Sequence, residues 1–164
     1  MDLVSVSVVS HGHGPHVTAL LRDLAAHCAA DVARVVLTLN LPEPALQAAV
    51  RSADWPFAIT VLENAAPCSF GFNHNQAFAR VDTPLFCVMN PDLRLGSNPF
   101  SELRSVLSCK DVGCAYPVQL DANGQRQDFE RALPTPLSLF RRVGLGRRRS
   151  DGVDWVNGAF MLSK

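Results

Sequence analysis

The stretch Leu85-Phe86-Cys87-Val88-Met89-Asn90-Pro91-Asp92 decides the fold. Its apolar run has the length of a strand and the continuous hydrophobicity of one buried on both faces. Asn90-Pro91 ends it, because proline has no N–H for a ladder and keeps the preceding residue out of helical angles. Asp92 is thereby presented just past the strand end. In an open α/β sheet, ligands bind beyond the carboxyl ends of the strands. A carboxylate at that place can be held out to a metal or to a ligand.

Strands and helices alternate outward from this point. Toward the N-terminus, Leu3 to Val9 is a valine-rich strand running into Ser10-His11-Gly12-His13-Gly14-Pro15, a tight loop with Pro15 placed for a helix start. Val17, Leu20, Leu21, Leu24 and Cys28 then recur at helical spacing to about Ala30. Ala33 to Leu39 is a second strand, Ala45 to Ala53 a short helix and Phe57 to Leu62 a third strand. A loop from Glu63 to Ser69 leads to a short helix opening at Gly71 and ending near Arg80. Beyond Asp92, Asn98-Pro99 starts a helix to about Cys109, with Asn98 as its cap. Val112 to Val118 is a fifth strand, and Asp121-Ala122-Asn123-Gly124 a turn. Gln125 to Asp151 is irregular, and Val153 to Ser163 is strand-like again. Alternation of this kind predicts an α/β fold, a mainly parallel sheet with helices on both faces.

At 164 residues the chain is long enough to bury a real core as one domain. Hydrophobic side chains at 48% and charged ones at 18% describe a globular protein. Its formal net charge is zero but unevenly spread, with Arg141, Arg142, Arg147, Arg148 and Arg149 gathered late in the chain. That overall balance argues against a dedicated nucleic-acid binder. The cluster itself suits a solvated loop, a pyrophosphate or an anionic membrane surface. Cys28, Cys68, Cys87, Cys109 and Cys114 form no CxxC pair, so buried reduced thiols are expected. No signal-peptide pattern and no run of about 20 apolar residues is seen, which predicts a cytoplasmic location, with membrane association left to the arginines.

Three further segments could carry chemistry. His11-Gly12-His13-Gly14-Pro15-His16 has imidazoles that suit zinc or nickel, but Asp and Cys partners at ligand spacing are missing. Backbone N–H groups at the helix start make nucleotide contact the better expectation there. Asn73, His74, Asn75 and Gln76 stand near a helix start, where amides can read a nucleobase or hydroxyls, or simply cap the helix. Ser10-His11 and Asn40 bring polar side chains to the same sheet edge as Asp92. Carboxylate oxygens suit magnesium and manganese, which keep waters and bind substrate phosphates through few protein ligands.

The order of these motifs resembles a family-2 glycosyltransferase of the GT-A fold, in particular the rhamnosyltransferase-like group. Four segments carry the resemblance: Val6-Ser7-Val8-Val9-Ser10-His11, Gly71-Phe72-Asn73-His74-Asn75-Gln76-Ala77, Asn90-Pro91-Asp92, and Asp154-Trp155-Val156-Asn157-Gly158-Ala159-Phe160-Met161-Leu162. Arg131-Ala132-Leu133-Pro134-Thr135-Pro136 adds a fifth. The resemblance implies metal-assisted, inverting sugar transfer from a UDP- or dTDP-sugar to a hydroxyl on a polysaccharide or lipid-linked glycan. Asp92 would bind Mg2+ or Mn2+ on the donor diphosphate, as in the family's DXD-type motif. Ser10, His11, Asn40, Asn75 and Asn90 would surround the donor, and Asp154, Trp155 and Gly158 would flank sugar and acceptor. Residues 1–100 would be the nucleotide-sugar half and 101–164 an incomplete acceptor half of one domain.

Two departures qualify that picture. Family members commonly carry an acidic residue after the second strand, where this chain has Thr38-Leu39-Asn40. The family's general base is a carboxylate downstream of the Gly158 segment, and the chain ends at Lys164 before it, as a C-terminally truncated member would. Asp154 is the candidate substitute. Two alternatives remain open: a non-catalytic nucleotide-sugar-binding module of the same fold, and a nucleotidyltransferase. The second lacks the expected phosphate loop with a lysine near the N-terminus.

Overall fold

A computed structural model of the chain describes residues 2–127, 130–131, 155–156 and 158–164. Arg141 to Arg149, Asp154, Asn157 and the segment Ala132 to Pro136 lie outside the described residues. The chain divides into two compact units, Met1–Pro117 with Gly158–Lys164, and Val118–Asn157.

The first unit holds six strands and four helices. In chain order they are β1 (Val4–Ser10), α1 (Gly14–His27), β2 (Val32–Leu39), α2 (Pro44–Ser52), β3 (Ala58–Glu63), α3 (Phe70–Phe78), β4 (Leu85–Met89), α4 (Phe100–Leu107) and β5 (Cys114–Ala115). In the second unit, β6 (Glu130–Arg131) pairs antiparallel with β7 (Trp155–Val156). The last strand of the first unit is β8 (Phe160–Ser163). The six-stranded sheet runs β3-β2-β1-β4-β8-β5. From β3 to β4 it is parallel, and β8 lies antiparallel to both β4 and β5. The expected mainly parallel α/β sheet is observed.

Alternation of side chains along the strands builds two different faces. Val4, Val6 and Val8 of β1 enter the main core together with Val35, Leu37 and Leu39 of β2. Val17, Leu20, Leu21 and Leu24 of α1 follow the i, i+3, i+4, i+7 pattern and are fully buried against them. Burial of each such side chain contributes about 1.5–3 kcal/mol. The other face carries Val36, Leu62, Phe86 and Val88, packed with Ala77 of α3. Between them on that face lie Ser5 and Ser7, both buried. Helices therefore cover both faces, but the face under α3 is partly polar.

Several boundaries differ from the expected ones. Helix α1 begins at Gly14, with Pro15 as its second residue, and ends at His27 where Cys28 N–H closes on Leu24 O at 2.8 Å. Helix α3 begins at Phe70 because Ser69 caps it, its Oγ accepting from Phe72 N at 3.4 Å. Helix α4 begins at Phe100, whose N–H donates to Asn98 Oδ1 at 3.0 Å, so Asn98 closes the turn from one position further out. The fifth strand shrinks to Cys114–Ala115, since Gly113 and Pro117 bracket the stretch that can pair. The strand expected from Val153 to Ser163 is two strands in two sheets, interrupted at the turn Gly158-Ala159. The Asp121 to Gly124 turn forms as expected, with Gly124 at φ 75 and Asp121 Oδ1 accepting from Asn123 N and Gln125 N. All five cysteines are free, but only Cys28 and Cys87 are buried. Cys109 and Cys114 are exposed, so the expectation of buried thiols fails for them.

Candidate functional site at the carboxyl edge of the sheet

Parallel pairing brings the residues that follow β1, β2 and β4 to one edge. Register places Ser10 opposite Leu39 and Val8 opposite Met89, so His11, Asn40 and Asn90 emerge side by side. A cleft of about 560 Å3 opens there. Its wall includes His11, His13, Asn40, Phe70, Asn73, His74, Asn90 and Asp92.

The loop from β1 to α1 is held from within. Gly12 has φ 81, a left-handed conformation that favours glycine. The N–H groups of Gly12 and Gly14 donate to the two carboxylate oxygens of Glu43, each at 3.0 Å. A side chain at position 14 would put Cβ 3.3 Å from Glu43 Oε2, which is why glycine fits there. These amides were the expected nucleotide contact, and a carboxylate of the chain already neutralises them. Ser10 is fully buried, and its Oγ accepts from His13 N at 3.2 Å. Its role in the structure is to close the same loop.

Asn40 is the hub of an amide network. Its Oδ1 accepts from Cys68 N and from Asn64 Nδ2, both at 2.8 Å. The Cys68 N–H can only donate, which fixes the carboxamide's orientation. Nδ2 then donates to Cys68 O and to His11 Nδ1, both at 3.1 Å. Asn64 Nδ2 also donates to Asn73 Oδ1 at 2.7 Å, tying α3 into the network. All four hydrogen-bonding positions of Asn40 are thus used inside the protein. His11, receiving at Nδ1, carries its proton on Nε2 and is itself exposed in the cleft wall.

Asp92 has the opposite character. It stands in the turn after β4, exposed, and its carboxylate meets no hydrogen-bond or ion-pair partner among the described residues. Asn90, half-buried beside it, is anchored by its backbone N–H on Ala159 O at 2.7 Å. Among the described residues no group of three or more His, Cys, Asp or Glu could hold a metal ion, so the three histidines of the first loop do not converge. Asp92 offers one hard oxygen ligand beside open space, which fits an ion whose other ligands come from a phosphate substrate and water.

Helix α3 supplies three residues to the wall, Phe70, Asn73 and His74, while Asn75 is exposed and outside the lining. His74 is only 5% exposed, with Nδ1 2.8 Å from Ser7 Oγ. Burial lowers its pKa to about 4, so the ring is neutral at ordinary pH. Phe70 lies edge-on to it, with ring centroids 4.3 Å apart. A Cβ on Gly158 would come within 2.9 Å of Phe70 Cζ, so Gly158, itself outside the cleft lining, makes room for that ring. Asn64, Glu43, Phe70 and Ser7 have no strong local signal in the sequence. For Asn73 and His74 there was one: they stand four and three residues before Ala77, the small apolar residue that faces the sheet.

No family model matches the chain, and no curated protein matches its sequence. Solved structures do share its fold. The mannosyltransferase PcManGT from Pyrobaculum calidifontis, in complex with GDP-Man and Mn2+, is 15% identical with a TM-score of 0.67 over 99% of this chain and 44% of that one. S. aureus TarS, residues 1–349 in complex with UDP-GlcNAc, is 15% identical with a TM-score of 0.60 over 81% of this chain and 37% of that one. The 4-diphosphocytidyl-2C-methyl-D-erythritol synthase from Anaerococcus prevotii is 11% identical with a TM-score of 0.59, over 99% of this chain and 71% of that one. The chain therefore has a GT-A-like fold and spans less than half the length of the first two. No helix among the described residues is long and apolar enough to cross a membrane.

Proposed function

We propose that the chain is the donor-binding part of a glycosyltransferase that moves a sugar from a nucleotide-diphosphate donor to a hydroxyl acceptor. One observation carries this reading: an unpartnered carboxylate, Asp92, stands in the wall of a cleft at the carboxyl edge of the sheet. Departure of the diphosphate concentrates negative charge on its oxygens, and a divalent ion supplies the stabilisation. Asp92 would hold Mg2+ or Mn2+, with Asn90 beside it. His11 would face the nucleotide, with Ser10 and Asn40 keeping its loop in place. Asn75, exposed and outside the cleft lining, would meet the donor from the cleft's rim. Trp155, Gly158 and Asp154 belong to the sugar and acceptor side of this proposal, Gly158 through the space it leaves for Phe70.

The likeness to a GDP-Man complex and a UDP-GlcNAc complex supports a nucleotide-sugar donor without selecting the base. A UDP- or dTDP-sugar, an inverting family-2 reaction and a polysaccharide or lipid-linked acceptor follow from the motif resemblance. A cytoplasmic site rests on the sequence showing no signal-peptide pattern, and membrane contact on the arginine cluster. Asp154 remains the candidate within this chain for deprotonating the acceptor. A nucleotidyltransferase is the second reading, favoured by the third structure, 71% of whose length is covered. Against it, the amides of the first loop, where a triphosphate would be cradled, hold Glu43.

Thermal unfolding tests the proposal. With Mn2+ and a UDP-, dTDP- or GDP-sugar at about 100 times its Kd, the chain gains about 2.7 kcal/mol of stability, and Asp92→Ala abolishes the gain. Absence of any shift across these donors would sink it. Pyrophosphate release from a nucleoside triphosphate would favour the second reading.

A further inference from the structure

Among the described residues, His74 is the ring in the cleft wall with a buried nitrogen that no protein group meets. Its Nε2 is buried and has no hydrogen-bond partner among the described residues. Its Nδ1 meets only Ser7 Oγ, 2.8 Å away and fully buried. Proton counting selects the tautomer. If Nδ1–H donated to Ser7, the buried Ser7 hydroxyl would have no acceptor for its own proton, and the Nε2 lone pair would also be unmet. If the Ser7 hydroxyl donates to Nδ1, a single group stays unmet, namely Nε2–H. Fewer orphaned polar groups means lower energy, so Nε2 is a donor.

Place decides what that donor can meet. His74 meets β1 through Ser7, and its neighbour Asn73 is tied through Asn64 to Asn40 after β2, in a sheet ordered β3-β2-β1-β4. Asp92 follows β4, on the other flank of β1. A diphosphate held at Asp92 leaves the His74 flank to the nucleoside. The buried ring is also a poor phosphate ligand, since burial opposes the positive charge a phosphate would induce on it. Phe70, half exposed in the same wall, lies edge-on to His74.

We propose that Ser7 locks His74 as an uncharged Nε2–H donor that recognises an oxygen of the donor's nucleoside. This inference rests on the nucleotide-sugar function proposed above. It makes Ser7 the positioning residue and His74 the group that touches ligand.

Two measurements test it. In the wild-type protein with 15N-labelled histidine, His74 appears as the Nε2–H tautomer, and adding UDP or GDP with Mn2+ shifts its Nε2 resonance. An Nδ1–H tautomer, or a resonance that saturating nucleotide leaves in place, overturns the inference. By calorimetry, His74→Leu weakens nucleoside diphosphate binding by about tenfold while Mn2+-pyrophosphate binds as to wild type. Measuring both ligands on one variant separates a lost contact from lost folding. Equal loss of both, or loss of neither, contradicts the inference while leaving the donor-site reading standing. A wild-type chain that binds pyrophosphate but no nucleotide overturns both.

Discussion

Two sets of polar groups around the cleft differ in how they are employed. After β1 and β2, Ser10, Asn40 and the amides of Gly12 and Gly14 all bond to the protein itself. At Asp92 and at His74 Nε2, polar atoms meet no partner among the described residues. Polar groups of the first kind hold the edge in shape. Those of the second kind are left for something the chain does not contain. A polar residue near a cleft is therefore classed by its unused hydrogen-bonding capacity, since proximity is common to both sets.

Stability measurements can break that division, and the largest effect comes from pH. His74 has its pKa lowered by burial from 6.5 to about 4. Between those values the unfolded chain takes up a proton that the folded chain refuses, so stability is full above pH 6.5 and falls as pH drops toward 4. The loss is about 3 kcal/mol. Urea unfolding across this range measures it, and His74→Leu should flatten that part of the profile. An unchanged slope in the variant would mean the buried ring is not its source.

Asn40→Ala comes next, because it orphans Cys68 N and one Asn64 donor at once. A loss of about 2 kcal/mol in the same assay is expected. Glu43→Ala should cost about 1 kcal/mol, since its carboxylate is only half buried and water can replace it at Gly12 and Gly14. The smallest effect belongs to Asp92→Ala, within about 0.5 kcal/mol of wild type, as an exposed side chain with no partner requires. Should Asp92→Ala cost as much as Asn40→Ala, the two sets are not different in kind.

Much of the fold was legible because its strands are covered on both sides. Leu85 to Met89 is an unbroken apolar run, Val35 to Leu39 is broken only by Thr38, and Val4 to Val8 alternates valine with small buried serines, a pattern that suits a buried strand between helical patterns. What failed was pairing. Val112 to Val118 has strand-like residues, yet only Cys114 and Ala115 find β8 alongside them. Val153 to Ser163 looks continuous, but which sheet each part joins is settled by partners distant in sequence. In the site, Asp92 was legible because Pro91 stops its strand locally. His74 was harder, as the helix begins one residue earlier than the glycine suggested and hides Asn73 and His74 against the sheet. The use of Glu43 by Gly12 and Gly14 spans about thirty residues of sequence, and no local pattern announces it.

Calorimetric titration of a nucleotide-sugar with Mn2+ into wild type and Asp92→Ala tests the central claim most directly. The account predicts saturable binding to wild type that needs the metal, and a variant of unchanged stability in which that binding is lost. Equal, metal-independent binding to both proteins would contradict it.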